Sequence, residues 1–166
     1  PFEEVGSSLG VDSQASSWAA ASADYDEDGD LDIYVSNGGF NGRQPNVLYR
    51  NDSPGFTDVA EASGVGDHGN GTGQAFADLD RDGLVDLFLA KGGFVPPGEP
   101  NRLFHNNGDG TFADVSEPSG LASQQASLAV SVGDVDRDGY LDLFVSRAQG
   151  EKNSLYHNDG NGRFSD

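Results

Sequence analysis

One acidic phrase of nine residues occurs three times in this chain and constrains its fold more than any other feature. It runs from Asp24 to Asp32, from Asp78 to Asp86 and from Asp134 to Asp142, with Asp at positions 1, 3, 5 and 9 and Gly at position 6. Carboxylates at alternate positions converge on one hard cation when the chain wraps around it, and the glycine permits the sharp turn. The phrase therefore predicts three cation-binding loops of one kind.

Each acidic loop is predicted to hold its ion through side chains at positions 1, 3, 5 and 9 and through the main-chain carbonyl at position 7. Oxygen ligands in this number suit Ca²⁺ better than Mg²⁺, zinc or copper, so we expect about three Ca²⁺ ions, one per loop. The predicted ligands are Asp24, Asp26, Asp28, Asp30, Asp32, Asp78, Asp80, Asp82, Leu84, Asp86, Asp134, Asp136, Asp138, Tyr140 and Asp142.

Two other interpretations of the acidic loops are weaker. Asp and Gly favour turns by themselves, but this explains one or two aspartates per loop and not four in every copy. An EF-hand requires Glu at position 12 and a helix on either side. Position 12 is Val35, Leu89 or Val145, each in a segment with strand character. The sequence thus excludes an EF-hand.

Similarity outside the loops indicates that the chain consists of copies of one unit. The segment Asn46–Asn51 (NVLYRN) recurs as Asn101–Asn106 (NRLFHN) and as Asn153–Asn158 (NSLYHN). The acidic loops begin 54 and 56 residues apart. A fixed period of this size is typical of solenoids, propellers and arrays.

Within one unit the pattern predicts strands throughout. In the second copy, strands are expected at 72–79 and 85–89 around the acidic loop, at 102–105, and at 111–115 after a tight turn. No segment shows a convincing helical period. Four short antiparallel strands in about 55 residues are typical of a β-propeller blade.

Three motifs together resemble the FG-GAP/VCBS repeat family, which includes the calcium-binding propeller repeats of integrin α-chains. They are D-x-D-x-D-G-x-x-D, N-x-L-[YF]-x-N, and N-G-D-G-T-F-x-D-V at 107–115. The resemblance implies a calcium-binding propeller, usually of six or seven blades, in extracellular recognition or scaffolding. The Phe-Gly element of the family name is degenerate at Gly73–Phe76, so the resemblance implies nothing specific to integrins.

The predicted fold is an all-β repeat domain over residues 1–166, with an orphan outer strand in 1–11 and blades at about 16–60, 71–116 and 126–166. Phe2–Val5 matches the outer strand of the first blade at Phe56–Val59. Three blades are too few to close a ring. We therefore expect either a partial propeller from a longer chain or half of a ring that a second copy completes.

The net charge of −19, with only nine Lys and Arg, disfavours nucleic-acid binding because little positive charge is available for phosphates. The sequence has no apolar stretch of the roughly 20 residues that span a bilayer, so membrane insertion is not expected. Without cysteine, calcium is the expected cross-link, which favours an extracellular, cell-surface or periplasmic location. The chain begins without Met or a signal peptide, so it is expected to derive from a longer precursor.

The leading functional hypothesis is a non-enzymatic, secreted binding or adhesion module for proteins or glycans. Alternatives are the propeller portion of a carbohydrate-active enzyme and a structural surface or filament subunit. No nucleophile is paired with a base, and His105 and His157 share one repeat position, which favours a structural role. Recognition is expected on the segments that vary between copies, opposite the acidic loops: 40–45, 94–100, 147–152, 62–71 and 118–123.

Overall fold

The computed structural model describes residues 2–38, 44–93, 98–122 and 124–166. Its elements in chain order are α1 (Gly6–Leu9), β1 (Ser17–Ala23), β2 (Asp32–Asn37), β3 (Val47–Asn51), β4 (Phe56–Asp58), β5 (Gly71–Ala77), β6 (Asp86–Lys91), β7 (Glu99–Pro100), β8 (Arg102–Asn106), β9 (Phe112–Asp114), α2 (Ser116–Ser119), β10 (Gln124–Gln125), β11 (Ser127–Gly133), β12 (Asp142–Arg147), β13 (Ser154–Asn158) and β14 (Phe164–Ser165). Neither helix has the length or hydrophobicity needed to cross a membrane.

Within the described part of the chain, most of the strands lie in three antiparallel sheets of four strands each. The first sheet has the order β1-β2-β3-β4, the second β5-β6-β8-β9 and the third β11-β12-β13-β14. The short strands β7 and β10 pair with each other and link the second sheet to the third. The predicted all-β class and the four-stranded antiparallel unit are confirmed. The described residues supply three sheets and not a closed ring.

The first hairpin has the same register in every sheet. Ala23 pairs with Asp32, Ala77 with Asp86 and Gly133 with Asp142, so the last aspartate of each acidic loop begins the second strand. Each hairpin also has an irregularity near the start of its first strand. Each acidic loop therefore leaves its sheet at an equivalent point.

Two hydrophobic cores among the described residues hold the three sheets together. Side chains alternate across a strand, so neighbouring residues of β6 enter different cores. Leu87 packs with Tyr34 of the first sheet, whereas Phe88 packs with Leu143 of the third. All four side chains are fully buried. Burying one such side chain contributes about 1.5–3 kcal/mol, which makes these stacking contacts the main stabilising interaction between sheets.

Small residues on the first strand of each sheet allow close stacking. A Cβ atom on Gly73 would lie 2.8 Å from the Leu128 carbonyl oxygen and 2.9 Å from the Ala129 Cα atom. Beside it, the Thr72 hydroxyl donates a hydrogen bond of 2.7 Å to the Ser127 carbonyl. Strands β5 and β11 thus approach closely because position 73 has no side chain.

The outer face of the third sheet is partly exposed. Phe144 and Leu155 are 43% and 44% exposed, whereas their equivalents in the second sheet, Phe88 and Leu103, are 0% and 4% exposed. Phe144 and Leu155 are large apolar side chains like those that fill the cores between sheets. This face therefore resembles the faces that pack against a following sheet.

The outer strand predicted within residues 1–11 is not formed. Residues 2–5 belong to no strand, and Gly6–Leu9 form helix α1. A strand needs a neighbour for its backbone hydrogen bonds, and the described residues offer no third strand at this edge. Helices α1 and α2 also depart from the prediction of strands alone, because four residues are too few to produce a visible helical period.

The N-terminal segment nevertheless sits against the first sheet as the later connectors sit against theirs. A Cβ atom on Gly10 would lie 2.9 Å from the Phe56 carbonyl oxygen. The equivalent distances are 3.0 Å from Gly64 to Phe112 and 2.9 Å from Gly120 to Phe164. The turn at Gly10 thus has the same geometry as the turns at Gly64 and Gly120, although residues 2–5 before it form no strand.

Candidate functional site

Each acidic loop turns through two left-handed residues. The position-6 glycines Gly29, Gly83 and Gly139 have φ angles of 95°, 98° and 93°. The position-4 residues Glu27, Arg81 and Arg137 have φ angles of 60°, 65° and 68°. A Cβ atom on Gly29 or Gly83 would meet no heavy atom within 4 Å, so glycine is favoured there by backbone conformation and not by lack of space.

The position-9 carboxylates anchor the loops to the third strand of each sheet. The Oδ2 atom of Asp86 accepts a hydrogen bond from the Leu79 amide at 3.2 Å, and its Oδ1 atom accepts one from the Asn106 amide at 3.0 Å. Asp32 and Asp142 accept the equivalent pairs of bonds. All three side chains are buried. Position 9 therefore joins the start of its loop to a strand about 20 residues further along the chain.

Positions 1 and 5 curl each loop inward. In the second loop, the Gly83 amide donates to Asp78 Oδ2 at 3.1 Å, and the Leu84 amide donates to Asp82 Oδ1 at 2.8 Å. The first and third loops have the same two bonds. These bonds hold the carboxylates on the inner side of the turn, where they are close to one another.

Several buried carboxylate oxygens find no hydrogen-bond donor among the described residues. They are the Oδ1 atoms of Asp24, Asp26 and Asp78. Burying a charged oxygen without a partner is costly, and a bound cation would supply the missing positive charge. The donor set of the loops therefore fits a hard cation with oxygen ligands.

The structure brings some of the predicted ligands close enough to share one ion. Side-chain ligand atoms lie within 4.8 Å of one another in each of four groups: Asp24, Asp26 and Asp32; Asp134, Asp136 and Asp138; Asp80, Asp82 and His105; and Asp136, Asp142 and His157. The other predicted side-chain ligands, Asp28, Asp78 and Asp86, lie in the same loops outside these groups. Asp30, Leu84 and Tyr140 are predicted to bind through main-chain carbonyls, which side-chain positions do not test.

Two histidines adjoin the acidic loops, a proximity that the sequence analysis missed. His105 Nδ1 lies 3.1 Å from Asp86 Oδ1 and 3.2 Å from Asp80 Oδ2. His157 Nδ1 lies 3.3 Å from an oxygen of Asp136 and of Asp142. In the first copy, Arg50 instead pairs with Asp52. The signal was present in the sequence, because each histidine directly precedes the asparagine whose amide binds the position-9 aspartate.

Burial and mutual repulsion raise the pKa of several of these carboxyls. Burial raises the pKa of Asp86 to about 6, with a further contribution from the neighbouring Asp80 carboxylate. The pKa values of Asp26 and Asp32 are also raised, first by burial and then by charges within their own loop. The metal-free first and second loops therefore hold negative charge at a cost. In the third loop, despite burial, hydrogen bonds from the Asn158 and Val135 amides and the nearby His157 lower the pKa of Asp142.

This cost predicts how the metal-free chain responds to pH. Because the folded pKa of Asp86 lies above that of an unfolded Asp, about 3.9, the folded state binds the extra proton in the intervening range. Its contribution to stability is complete below the unfolded pKa and is lost as pH rises through about 6. In chelator, we expect Asp86 to make the free energy of unfolding higher at pH 5 than at pH 7.

Urea unfolding of the calcium-depleted chain and of Asp86→Asn at both pH values measures this effect. The variant should lose part of the gain at pH 5, since its side chain does not titrate. Asp109→Asn changes an exposed turn aspartate and should retain the gain. An identical pH response in the chain and in Asp86→Asn would contradict the prediction.

Stacked four-stranded antiparallel sheets, each with an acidic loop in its first hairpin, define a propeller-like repeat protein. The FG-GAP-like repeat model matches residues 24–89 and 94–145, and the FG-GAP repeat model matches residues 128–164. The chain therefore belongs to the FG-GAP repeat family, as its motifs predicted.

Similar curated proteins are cartilage acidic proteins of vertebrates. The chain is 28% identical to cartilage acidic protein 1 of Homo sapiens over 158 residues, which cover 89% of this chain and 23% of the relative. For Mus musculus the identity is 27%, with coverages of 89% and 24%. For Xenopus tropicalis it is 26%, with coverages of 97% and 26%. The chain thus spans about a quarter of the length of these relatives.

Proposed function

We propose that this chain is a calcium-stabilised part of an extracellular β-propeller that binds proteins or glycans and catalyses no reaction. The observation that carries the proposal is the repeated loop geometry. In every copy the same backbone bonds direct carboxylates inward, and buried oxygens in the first and second loops have no donor among the described residues. A structural cation in each loop accounts for this arrangement.

Calcium would act as a cross-link in this proposal. The predicted ligands at positions 1, 3 and 5 lie on the turn itself, whereas position 9 is fixed to the third strand through its bonds to Asn51, Asn106 or Asn158. One ion per loop would join the turn to the sheet and relieve repulsion among the carboxylates. The acidic loops then serve as scaffold, and recognition falls to another surface.

The proposed recognition surface lies at the opposite end of the sheets. In an antiparallel sheet, the acidic loops and the turns between third and fourth strands share one end, and the remaining connections share the other. At that other end, Lys91 is buried between Asp67 and Glu99, at 2.6 Å and 3.3 Å. Its equivalents in the other copies are Asn37 and Arg147. The copies thus differ in charge at this position, whereas their acidic loops are alike.

A polar cavity supports recognition at this end of the third sheet. Its volume is about 410 Å³, and Arg147, Glu151, Lys152 and Asn153 contribute to its lining. Charges of both signs beside an amide suit the hydroxyl, amide and carboxylate groups of glycans or peptides. The predicted recognition residues 40–43, 94–97 and 123 lie outside the described residues.

Family membership and calcium availability support the proposed extracellular location. FG-GAP repeats include those of integrin α-chains, and calcium is far more abundant outside cells than inside them, which favours filled loops in an extracellular setting. We further propose that another sheet, in the same polypeptide or in a second copy, covers the exposed apolar face at Phe144 and Leu155. The equivalent face of the second sheet is covered by the third.

Calorimetric titration with Ca²⁺ tests the metal assignment. We expect about three binding events per chain, and one fewer in each of Asp24→Asn, Asp78→Asn and Asp134→Asn. Asp109→Asn, an acidic residue of the β8–β9 turn, should retain all three. Saturable binding unaffected by any of the three loop variants would place the ions elsewhere, and no binding at all would refute the calcium proposal.

A glycan and protein array tests the recognition surface separately. We expect binding in calcium that Lys152→Ala weakens and Asp109→Asn leaves unchanged, because Lys152 lines the polar cavity and Asp109 lies at the opposite end. Equal weakening by both variants would reject this surface. Release of new reducing ends from acidic polysaccharides would overturn the non-enzymatic assignment.

A further inference from the structure

A second cavity lies between the second and third sheets, and residues of the second acidic loop form part of its wall. Its volume is about 260 Å³. Leu79, Leu103, Val115 and Phe164 supply apolar walls, and Asp80 and His105 are partly exposed members of the lining. The cavity therefore combines an apolar interior with an acidic border.

The preceding interface holds an aromatic ring at the equivalent place. There Tyr25 occupies the repeat position of Leu79, and Phe112 occupies that of Phe164. The two rings stack with centroids 5.6 Å apart, and Tyr25 is 1% exposed. Its hydroxyl forms a hydrogen bond with Ser63. A ring supplied by the chain thus packs between the first two sheets.

The two interfaces share one hydrogen bond between sheets, and we attribute the cavity to the presence of Leu79 at the repeat position of Tyr25. Asn106 Nδ2 donates to the Tyr25 carbonyl at 2.8 Å, and Asn158 Nδ2 donates to the Leu79 carbonyl at 2.7 Å. The backbones are therefore placed alike, whereas leucine lacks the ring that would stack on Phe164. The cavity lies where the missing ring would lie.

We propose that this cavity binds a small ligand that consists of one aromatic ring and a protonated amine on a short chain. The ring would stack on Phe164 as Tyr25 stacks on Phe112. The volume is below the roughly 300–1,000 Å³ of sites for drug-sized ligands, which limits the ligand to about one ring. The amine is attracted by the net negative charge of the second acidic loop, whose Asp80 carboxylate lies at the border of the cavity.

The charge of the neighbouring loop favours a cation with or without bound calcium. The second acidic loop carries the carboxylates of Asp78, Asp80, Asp82 and Asp86 and the single positive charge of Arg81. One Ca²⁺ ion would leave it net negative. We therefore expect the amine to bind both the calcium-loaded and the calcium-free chain, and to bind more tightly in chelator.

Tyramine is the probe for this proposal, with p-cresol and butylamine as matched controls that lack the amine and the ring. In calcium, calorimetry or ligand-observed NMR should show tyramine binding once per chain. Each control should bind at least about tenfold more weakly than tyramine, because losing one contact of about 1.4 kcal/mol raises the dissociation constant about tenfold. Equal affinity for p-cresol would overturn the cationic part, and equal affinity for butylamine would overturn the aromatic part.

Leu79→Tyr tests the location by restoring the ring found in the first interface. It should abolish tyramine binding while leaving the melting temperature equal or higher and the calcium stoichiometry unchanged. Leu79→Met keeps the side-chain volume and should retain binding. If Leu79→Tyr does not fold, Val115→Phe blocks the cavity from another wall and should have the same effect. Binding that survives a folded blocking variant would overturn the site.

The converse variant gives an independent gain-of-function test. Tyr25→Leu combined with Arg50→His removes the ring and changes two of the three lining positions that differ between the interfaces, Ala62 in place of Pro118 being the third. A second equivalent of tyramine should then bind. A folded double variant that still binds one equivalent would contradict the role assigned to the missing ring. Tyramine and calcium are titrated separately. Failure of the amine site can therefore be distinguished from failure of the calcium proposal.

Discussion

Calcium removal is expected to lower the melting temperature of this chain by roughly 15 °C or more. At free calcium 100-fold above the dissociation constant, one ion adds about 2.7 kcal/mol to the free energy of unfolding, and three ions add roughly 8 kcal/mol. For a chain of this size, 1 kcal/mol corresponds to about 2–4 °C. The physical origin is the relief of carboxylate repulsion and the capping of the buried oxygens of Asp24, Asp26 and Asp78.

Thermal unfolding followed by circular dichroism, in excess calcium and in chelator, measures this shift. Single variants at Asp24, Asp78 or Asp134 should each lose about a third of it, and Asp109→Asn should lose none. Magnesium should restore less of the shift than calcium, since Mg²⁺ demands a tighter octahedral site and dehydrates reluctantly. Coincident melts in calcium and in chelator would show that the loops fold without an ion.

Asn106→Ala is expected to destabilise the chain by about 3 kcal/mol or more. The Asn106 side chain is fully buried and donates to the Tyr25 carbonyl of the first sheet at 2.8 Å and to the Val85 carbonyl of its own sheet at 3.1 Å. Its Oδ1 atom accepts a bond from the Gly108 amide. Truncation leaves these three backbone groups without that partner and weakens the connection between the sheets.

Asn51→Ala is the matched control in the first sheet. Asn51 occupies the same repeat position, but its Nδ2 atom donates to the Leu31 carbonyl of its own sheet, at 3.4 Å. Loss of this longer bond should cost about 1 kcal/mol. Asn158→Ala should behave like Asn106→Ala because Asn158 reaches the Leu79 carbonyl. Equal urea midpoints for the Asn51 and Asn106 variants would show that the bond between sheets contributes little.

The sequence predicted the features that are written in local patterns. The acidic loops, the strands around them and the tight turns depend on residues close together in the chain, and recurrence after 54 and 56 residues reinforced each one. The position-6 glycines illustrate this point. The sequence predicted a sharp turn at each of them, and Gly83 has a φ angle of 98°.

Features that depend on how distant segments meet could not be predicted in this way. The approach of His105 to Asp80 requires the pairing register of β6 with β8. The cavity beside Phe164 requires two sheets to be placed against each other, followed by a comparison of Leu79 with Tyr25. Residues 2–5 form no strand in this chain alone, because similarity to an outer strand does not supply the neighbouring strand with which it would pair. Pairing of this segment with a further repeat or a second copy stays a prediction.

The direction of the asparagine bonds between sheets has a consequence for biosynthesis. Asn106 and Asn158 each reach back to a carbonyl on the sheet made before their own, about 80 residues earlier in the chain. A polypeptide that emerges N-terminus first therefore exposes every acceptor before the matching donor is made. Each new sheet can dock on a finished one, so the order of synthesis is also an order of assembly in which no earlier contact has to reopen.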